Sequence, residues 1–287
     1  MVAGRDDLHP NFSCVLMNPT SSSISPAKAT PHTPADNSSL AFFLDQHAAF
    51  VQAMAPRQGR ADLIDAVLMQ AFDSFDGNVA IQTEDAPDIE CHKGCASCCT
   101  LRVTATAPEV WMVARYLRWL GSHPQGQHLG LIGRLAEADS QTRGLNEAQR
   151  IKLRERCPFI IDGACRIYSV RPLACRGHAS FNKRECVEAA AGRTDSVAIS
   201  EPHKLVRGLV QNALQSALRD AGYVWQIYEL NHALMLAITQ PDAEAQWLAG
   251  KDPLAAAQIS EISSEEMAGV FDQIKLQQRE DHSAQAG

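Results

Sequence analysis

The chain has 287 residues, of which 45% are hydrophobic and only 6% aromatic, so its core must be mainly aliphatic. The net charge of −7 disfavours a protein dedicated to binding nucleic acid, which usually presents a basic face. The sequence has neither a membrane span of roughly 18 uncharged apolar residues nor the apolar run of a signal peptide, which predicts a soluble protein of the cytoplasm.

The N-terminal region is rich in Pro, Ser and Thr, most clearly over residues 18–39. This composition buries too little apolar surface to offset the entropy lost on ordering, so residues 1–39 are predicted to form a disordered tail. Met17 lies immediately before the Pro/Ser/Thr-rich stretch, and we hypothesise that it is the true start of the protein. Cys14 lies upstream of Met17 and is therefore excluded from any site.

Apolar residues at helical spacing predict two helices after the tail. Their apolar faces comprise Phe43, His47, Phe50, Val51 and Met54 in the first helix, and Ile64, Val67, Leu68, Ala71, Phe72 and Phe75 in the second. The run Thr106-Ala-Pro-Glu109 has the spacing of a capping box and predicts the start of a third helix. A polar helical stretch is predicted over residues 128–155, with Gly144 as a candidate break.

The second half of the chain begins with a predicted hairpin. Phe159–Ile161 and Cys165–Tyr168 flank Asp162-Gly163, a pair typical of a type I′ turn. Helices are then predicted at 202–221 and 225–239. The run Ser263-Ser-Glu-Glu266 predicts the cap of a last helix, with Met267, Val270, Phe271 and Ile274 on its apolar face.

These elements predict a mostly α fold: an irregular helical bundle with cysteine-rich loops crossing one end and at most a short β-hairpin. The predicted organisation is a tail over 1–39, a helical domain over 40–245 and a C-terminal helix and tail over 246–287. The core cysteine motif, residues 88–190, falls within the helical domain.

Eight cysteines fall in two groups along the chain. The first group is Cys91, Cys95, Cys98 and Cys99, and the second is Cys157, Cys165, Cys175 and Cys186. Thiolate is a soft, anionic ligand that suits zinc, iron and iron–sulfur clusters. In a reducing cytosol, clustered cysteines are more often metal ligands than disulfides. All eight are therefore predicted to hold metal, which makes the cysteine-rich loops metal-binding loops.

The number of metal centres is left open by the spacing. Four thiolates complete a tetrahedral zinc site or hold one [4Fe–4S] cluster, so eight could serve two centres, or one centre with spare thiols. Cys98 and Cys99 are adjacent, so their side chains diverge and are not expected to be two ordinary ligands of one ion. Buried, inert cysteines and disulfides of an exported protein are the alternatives.

Three blocks of residues around the cysteines form a specific pattern. They are Gly94-Cys95-Ala-Ser-Cys98-Cys99, Cys157-Pro158, and Cys165-Arg-Ile-Tyr168-Ser-Val-Arg171-Pro172-Leu-Ala-Cys175-Arg176. The pattern resembles the YkgJ-type cysteine-cluster (CxxCxxCC) family over about residues 88–190, which implies a zinc- or iron-chelating domain. Cys91 departs from the family pattern, since it lies four residues before Cys95 rather than three. The family also includes flagellin lysine N-methylases, which are associated with an iron–sulfur centre and S-adenosylmethionine.

Other residues of the pattern are expected to support the metal. Arg171 and Arg176 would offset thiolate charge and donate hydrogen bonds, with ordinary surface ion pairs as the alternative. Tyr168 is expected to pack under the cluster rather than act as a base. His92 and His178 lie close to the cysteines, but with enough thiols present they are expected to be bystanders.

Three functions remain open at this point. The leading one is a metal-binding protein with a structural, storage or delivery role, because metal ligands are the only chemistry visible. The others are an iron–sulfur-dependent enzyme resembling flagellin lysine N-methylase, and a thiol redox sensor. The sequence has no dinucleotide fingerprint, nucleophile elbow or H-E-x-x-H pair, so whether the protein is an enzyme is undecided. The expected partner is a metal ion, with no nucleic acid and no membrane.

Overall fold

A computed structural model of the protein describes residues 35–194, 197–261 and 263–285. Most of the described residues are helical, which confirms the predicted fold class. The first helix begins at Ala35, and the rest of the predicted tail, with Cys14 and Met17, lies outside the described residues. The predicted division at 245 stays a prediction.

The α-helices follow one another through the whole described chain. They are α1 (Ala35–Met54), α2 (Asp62–Gln82), α3 (Ala107–Ser122), α4 (Pro124–Gln127), α5 (Leu131–Thr142), α6 (Glu147–Leu153), α7 (Leu173–Gly177), α8 (Lys183–Ala190), α9 (Glu201–Asp220), α10 (Leu230–Thr239), α11 (Ala243–Leu248) and α12 (Ser264–Gln285). Among these helices, none is long and apolar enough to cross a lipid bilayer.

The hydrophobic core lies where α9 packs on α1 and α2, and where α3 packs on α2 and α10. Its fully buried large side chains include Phe50, Met54, Leu63, Ile64, Leu68, Trp111, Leu117 and Tyr228. The predicted apolar faces are mostly buried, as an amphipathic helix requires. Val51 and Val270 are the exceptions, since they are 39% and 53% exposed.

Two small antiparallel sheets complete the described fold. The predicted hairpin is confirmed: β2 (Ile160–Ile161) pairs with β3 (Ala164–Cys165). The turn residues Asp162 and Gly163 have φ values of 52° and 76°, as a type I′ turn requires. The second sheet pairs β1 (Thr104–Thr106) with β4 (Ile227–Glu229) and was not predicted. The prediction of helix over 225–229 was therefore wrong, and α10 begins only at Leu230.

Local sequence signals set several helix ends. The predicted capping box at Thr106 and Glu109 is present at the start of α3. Gly144, with a φ of 75°, separates α5 from α6, which confirms it as the break in the polar stretch. The hydroxyl of Ser263 accepts a hydrogen bond from the Glu266 amide at 3.2 Å, at the start of α12.

The cysteines lie in the two long connections between these helices. One connection runs from the end of α2 to β1, and the other runs from the end of α6 to the start of α9. The second connection includes the hairpin and the short helices α7 and α8, and α7 packs directly on α9. The core helices therefore frame the cysteine segments without containing them.

Candidate metal centre

The eight predicted ligands are all partly buried free thiols: Cys91, Cys95, Cys98, Cys99, Cys157, Cys165, Cys175 and Cys186. The disulfide alternative is thus not realised at any of these positions. Each thiol is shielded from bulk water to some degree, yet none lies in the hydrophobic interior with the fully buried core side chains. They are placed as the side chains of a site near the surface.

Backbone hydrogen bonds join the two cysteine groups. The amide of Cys157 donates to the carbonyl of Cys99 at 2.7 Å, which links the end of the first group to the start of the second. At the other end, the amide of Glu90 donates to the carbonyl of Ser180 at 3.0 Å. The Ser180 amide in turn lies 3.3 Å from the Cys91 sulfur. Two segments that are distant in sequence therefore run side by side.

Tight turns present the first group. The Cys95 amide donates to the His92 carbonyl at 2.9 Å, and the Cys99 amide donates to the Ala96 carbonyl at 3.2 Å. Gly94 is the third residue of the first of these turns and has a φ of 101°, a conformation that L side chains rarely adopt. The glycine of the GC-x2-CC pattern is therefore required by the backbone that brings Cys95 beside Cys98.

Small regular elements present the second group. Cys165 lies on β3, opposite Ile160. Cys175 lies in α7, and Cys186 lies in α8, whose first turn is capped by the side chain of Asn182. Short elements of this kind have little stability of their own. Their positions therefore depend on the contacts that they make with the core helices.

Burial dominates the electrostatics of the thiols. It raises the pKa of Cys91, Cys157 and Cys165 above the ordinary thiol value, and it raises the pKa of Cys175 to about 12. For Cys98 the largest cause of the raised pKa is a hydrogen bond with the Cys99 side chain, followed by burial. Without metal, these thiols are therefore protonated at neutral pH.

The same electrostatics show which thiols influence the pKa of one another. The pKa of Cys175 is raised further, after burial, by the charges of Cys165 and Cys98. The pKa of Cys91 is raised in the same way by Cys95, Cys98 and Cys186. Cys98 thus lies within electrostatic range of thiols from both groups.

The positive charge of Arg171 acts on three of the cysteine thiols. Its guanidinium stacks on the Tyr168 ring, 4.1 Å from the ring centroid. Its charge acts to lower the pKa of Cys98, Cys165 and Cys175, against the larger effect of burial. Its Nε is buried without a hydrogen-bond partner in the described structure. The expected roles of Tyr168 and Arg171 beside a metal stay predictions.

Arg176 has a different role from the one expected. It stacks on the Phe72 ring at 3.9 Å and forms an ion pair with Asp76 at 3.2 Å. It also donates to the backbone carbonyls of Arg171 and Ser169, at 3.1 and 3.0 Å. Arg176 thus ties the Cys165–Cys175 segment to α2, and the expected alternative, an ion pair with an acidic residue, is the arrangement observed.

The two nearby histidines make contacts that do not involve the thiols. His92 is exposed, with Nδ1 2.9 Å from the carbonyl oxygen of Glu90. Burial lowers the pKa of His178, and the charge of Arg207 lowers it further. Both histidines therefore stay predicted bystanders.

Glu109 is a contributor to the site that sequence analysis missed. Its carboxylate accepts from the Thr106 amide at 2.7 Å, which is one bond of the capping box, and also from the Thr106 hydroxyl at 2.8 Å. The other carboxylate oxygen accepts from the amide of Leu173 at 2.6 Å. Leu173 is the first residue of α7, so this buried side chain links the start of α3 to the helix that carries Cys175.

The thiols are chemically suited to a thiophilic metal, but they are not arranged as a complete set of ligands for one ion. Among the residues that the structure describes, no three Cys, His, Asp or Glu side chains are close enough together to hold one. Free cysteine thiols are nevertheless the ligands that zinc, iron and iron–sulfur clusters prefer, and eight of them lie on these two segments. The unpartnered buried Nε of Arg171 suits a centre that carries thiolate charge.

Comparison with known proteins agrees with this chemistry. Residues 90–192 match the model of the family CxxCxxCC, described as a putative zinc- or iron-chelating domain. The match covers the segment on which the sequence resemblance rests and confirms it. No curated protein and no solved structure gave a significant match. The family description supports metal binding by this part of the chain, without naming one metal.

Proposed function

We propose that this protein binds zinc or iron, the latter as an ion or as an iron–sulfur cluster, through the thiolates of eight of its nine cysteines. The observation that carries the proposal is that two segments distant in sequence, joined by backbone hydrogen bonds, carry eight free and partly buried thiols. A reducing compartment such as the cytoplasm would keep these thiols available to metal. The chelating-domain match over the same residues supports the proposal.

Four of the eight cysteines are proposed as principal ligands. Cys95 and Cys98 lie on consecutive turns, and Cys165 and Cys175 are electrostatic neighbours in the second group. The charge of Cys98 raises the pKa of Cys91 in the first group and of Cys175 in the second. A single tetrahedral centre formed by these four would join the segments, and the remaining thiols would serve a second centre or stay as spare thiols.

The first experiment is to purify the full chain without oxygen, then measure its metal content by elemental analysis and its visible spectrum. Zinc in a colourless protein would support a structural, storage or delivery role. A brown protein with a band near about 400 nm would support an iron–sulfur cluster and would favour the enzyme hypothesis over storage. A protein purified in this way that holds no metal and binds none on titration would overturn the proposal.

The second experiment replaces each proposed principal ligand with serine, which keeps the size of the side chain but removes the thiolate. Cys95→Ser, Cys98→Ser, Cys165→Ser and Cys175→Ser should each lower the metal-to-protein ratio. Cys14→Ser is the matched control, because Cys14 is predicted to lie outside the site, and it should keep the wild-type ratio. Full retention of metal in all four ligand variants would refute the assignment.

The redox-sensor alternative is disfavoured by the thiols themselves. A sensor cysteine reacts as its thiolate, so it needs a lowered pKa and access to solvent. Burial instead raises the pKa of Cys91, Cys157, Cys165 and Cys175. Metal binding displaces thiol protons by coordination and therefore needs no lowered pKa beforehand.

A further inference from the structure

Arg150 is a buried arginine whose side chain lacks partners. It lies on α6, shortly before Cys157 in the chain, and is only 2% exposed. Its Nε and Nη1 atoms are buried and have no hydrogen-bond partner among the described residues. A buried charge without hydrogen bonds is strongly unfavourable, so such a residue needs either a partner that is missing or a counter-charge nearby.

The acidic groups around Arg150 are already engaged by other donors. Glu229 caps α10, where its carboxylate accepts from the His232 amide at 2.8 Å. Asp139, on α5, forms an ion pair with Arg143 and lies 3.2 Å from Nδ1 of His232. These contacts leave Arg150 with long-range attraction from Glu229 but without a hydrogen-bonded carboxylate.

Arg150 also lies close to the start of the second cysteine group along the chain. Residues 154–156 connect α6 to Cys157, whose amide donates to the Cys99 carbonyl at 2.7 Å. The positive charge of Arg150 acts on the Cys157 thiol, in the direction that favours the thiolate. Arg150 is therefore within electrostatic reach of the cluster at the point where its two segments are joined.

We propose that Arg150 is the buried counter-charge of the metal centre, and that it offsets the negative charge which the thiolates acquire when they bind metal. The inference rests on the proposed function, since it assumes thiolate ligation. In the metal-free chain Arg150 has no hydrogen-bonded counter-charge among the described residues. In the metal-bound chain the thiolates provide one, so the guanidinium stabilises the bound state more than the free state.

This difference gives a signature that an ordinary structural arginine would not have. Removing the guanidinium takes an unpaired charge out of the metal-free interior, which should leave that form as stable as before or more stable. The same change removes an attraction that exists only with metal bound, so the affinity for metal should fall. The two effects have opposite signs, whereas a residue that only supports the fold would lower both quantities.

The test uses Zn²⁺ alone as the probe and the full chain as the protein. Zinc affinity is measured by competition with a colorimetric chelator, and thermal unfolding is measured on the metal-free form. Arg150→Met should weaken zinc binding about ten-fold or more, with no fall in the metal-free unfolding midpoint. Arg150→Lys keeps the charge and should bind zinc nearly as tightly as the wild type. Arg134→Met, an exposed position on α5, is the matched control and should change neither quantity.

Three results would overturn the inference. Unchanged zinc affinity in Arg150→Met would show that the charge does not reach the centre. A parallel loss of affinity and metal-free stability, not rescued by Arg150→Lys, would assign Arg150 a structural role only. Failure of both Arg150→Met and Arg150→Gln to fold would lead to the same conclusion. If the wild type and Arg134→Met bind no zinc or iron, the proposed function itself fails, which is a separate outcome.

Discussion

Glu109 is a single buried side chain that serves both a helix end and the cysteine site. Burial raises its pKa, while hydrogen bonds from the Thr106 amide, the Leu173 amide and the Thr106 hydroxyl act in the opposite direction. All three partners are donors, so the carboxylate is an acceptor toward two elements at once. The position of α7, and with it of Cys175, therefore depends on a residue of α3.

Replacing Glu109 should cost more than replacing its capping partner. Glu109→Ala leaves buried donors on two elements unsatisfied, and we expect a loss of about 3 kcal/mol in the free energy of unfolding. Thr106→Ala removes one hydroxyl only and should cost about 1 kcal/mol. Urea denaturation measures both, and the metal-to-protein ratio should fall only in the Glu109 variant. Equal effects of the two substitutions on stability and on metal content would contradict the proposed link.

The cysteines and the capping box were predictable because their signals are local. Thr106 and Glu109 are three residues apart, and such spacing has a single physical meaning at a helix start. The hydrogen bond from Leu173 to Glu109 spans 64 residues, so no local pattern indicates it. The unpartnered state of Arg150 was equally hidden, since the burial of a side chain depends on tertiary packing that no local pattern indicates.

At the scale of elements, the contact between α7 and α9 fixes one edge of the site. The backbone of α7 passes so close to α9 that a Cβ at Gly177 would lie 2.5 Å from Cβ of Arg207 and 2.6 Å from its Cγ. Gly208, next to Arg207 on α9, has open space at the same test position. The two glycines therefore form a matched pair, since both are helical but only Gly177 is required by packing.

Adding one methyl group should have different effects on stability at these two glycines. Gly177→Ala forces α7 away from α9 and should lower the free energy of unfolding by about 1–3 kcal/mol, because the contact is already tight. Gly208→Ala adds a better helix former in open space and should leave stability unchanged or raise it by up to about 1 kcal/mol. Chemical denaturation of both variants checks the prediction. Similar stability in the two would show that α7 can move aside without cost.

The end of α7 should also be sensitive to acid. His178 follows α7, and burial and the charge of Arg207 lower its pKa, while Glu147 acts in the opposite direction. A group that resists protonation when folded binds fewer protons than in the unfolded chain, whose histidine pKa is about 6.5. Stability of this region should therefore be full above that pH and fall as the pH drops below it.

Hydrogen exchange at two pH values tests the acid effect. Amide protection over residues 173–180, corrected for the intrinsic exchange rate, should be lower at about pH 5.5 than at about pH 7.5. His178→Gln cannot gain the charge and should flatten this dependence. If protection in His178→Gln still depends on pH to the same extent, another group causes the effect. Buried His203 is a candidate, because burial lowers its pKa as well.

Helices were more predictable than strands because the helices are long enough to show a repeated pattern in the sequence and the strands are not. An apolar face repeated over several turns, as in α2, is a signal that the sequence itself contains. The strands β1 and β4 have three residues each and are defined only by their pairing across the fold, at Ala105 and Tyr228. The apolar run over 225–239 was therefore interpreted as one helix, although its first part forms β4.

At the scale of the whole molecule, two different sources of stability are combined. The frame of α1, α2, α3, α9 and α10 buries large aliphatic and aromatic side chains. The cysteine segments are joined by a few backbone hydrogen bonds, and their thiols are only partly buried. Apolar burial therefore accounts for the frame, whereas the segments have little core of their own with which to offset the entropy of ordering.

Metal binding should supply much of the ordering free energy of the cysteine segments, as it does in small zinc domains. Removing the metal from the purified protein with a strong chelator should loosen residues 91–99 and 157–186, while the far-UV helical signal stays nearly intact. Hydrogen exchange with and without chelator measures this directly. Protection in α2 and α9 is the internal control and should not change.

Arg150→Met, exchanged in the metal-free state, should match the metal-free wild type, since its proposed effect requires metal. If protection in both segments is unchanged after metal loss has been verified by elemental analysis, packing alone orders them, and the metal then serves storage or chemistry rather than structure.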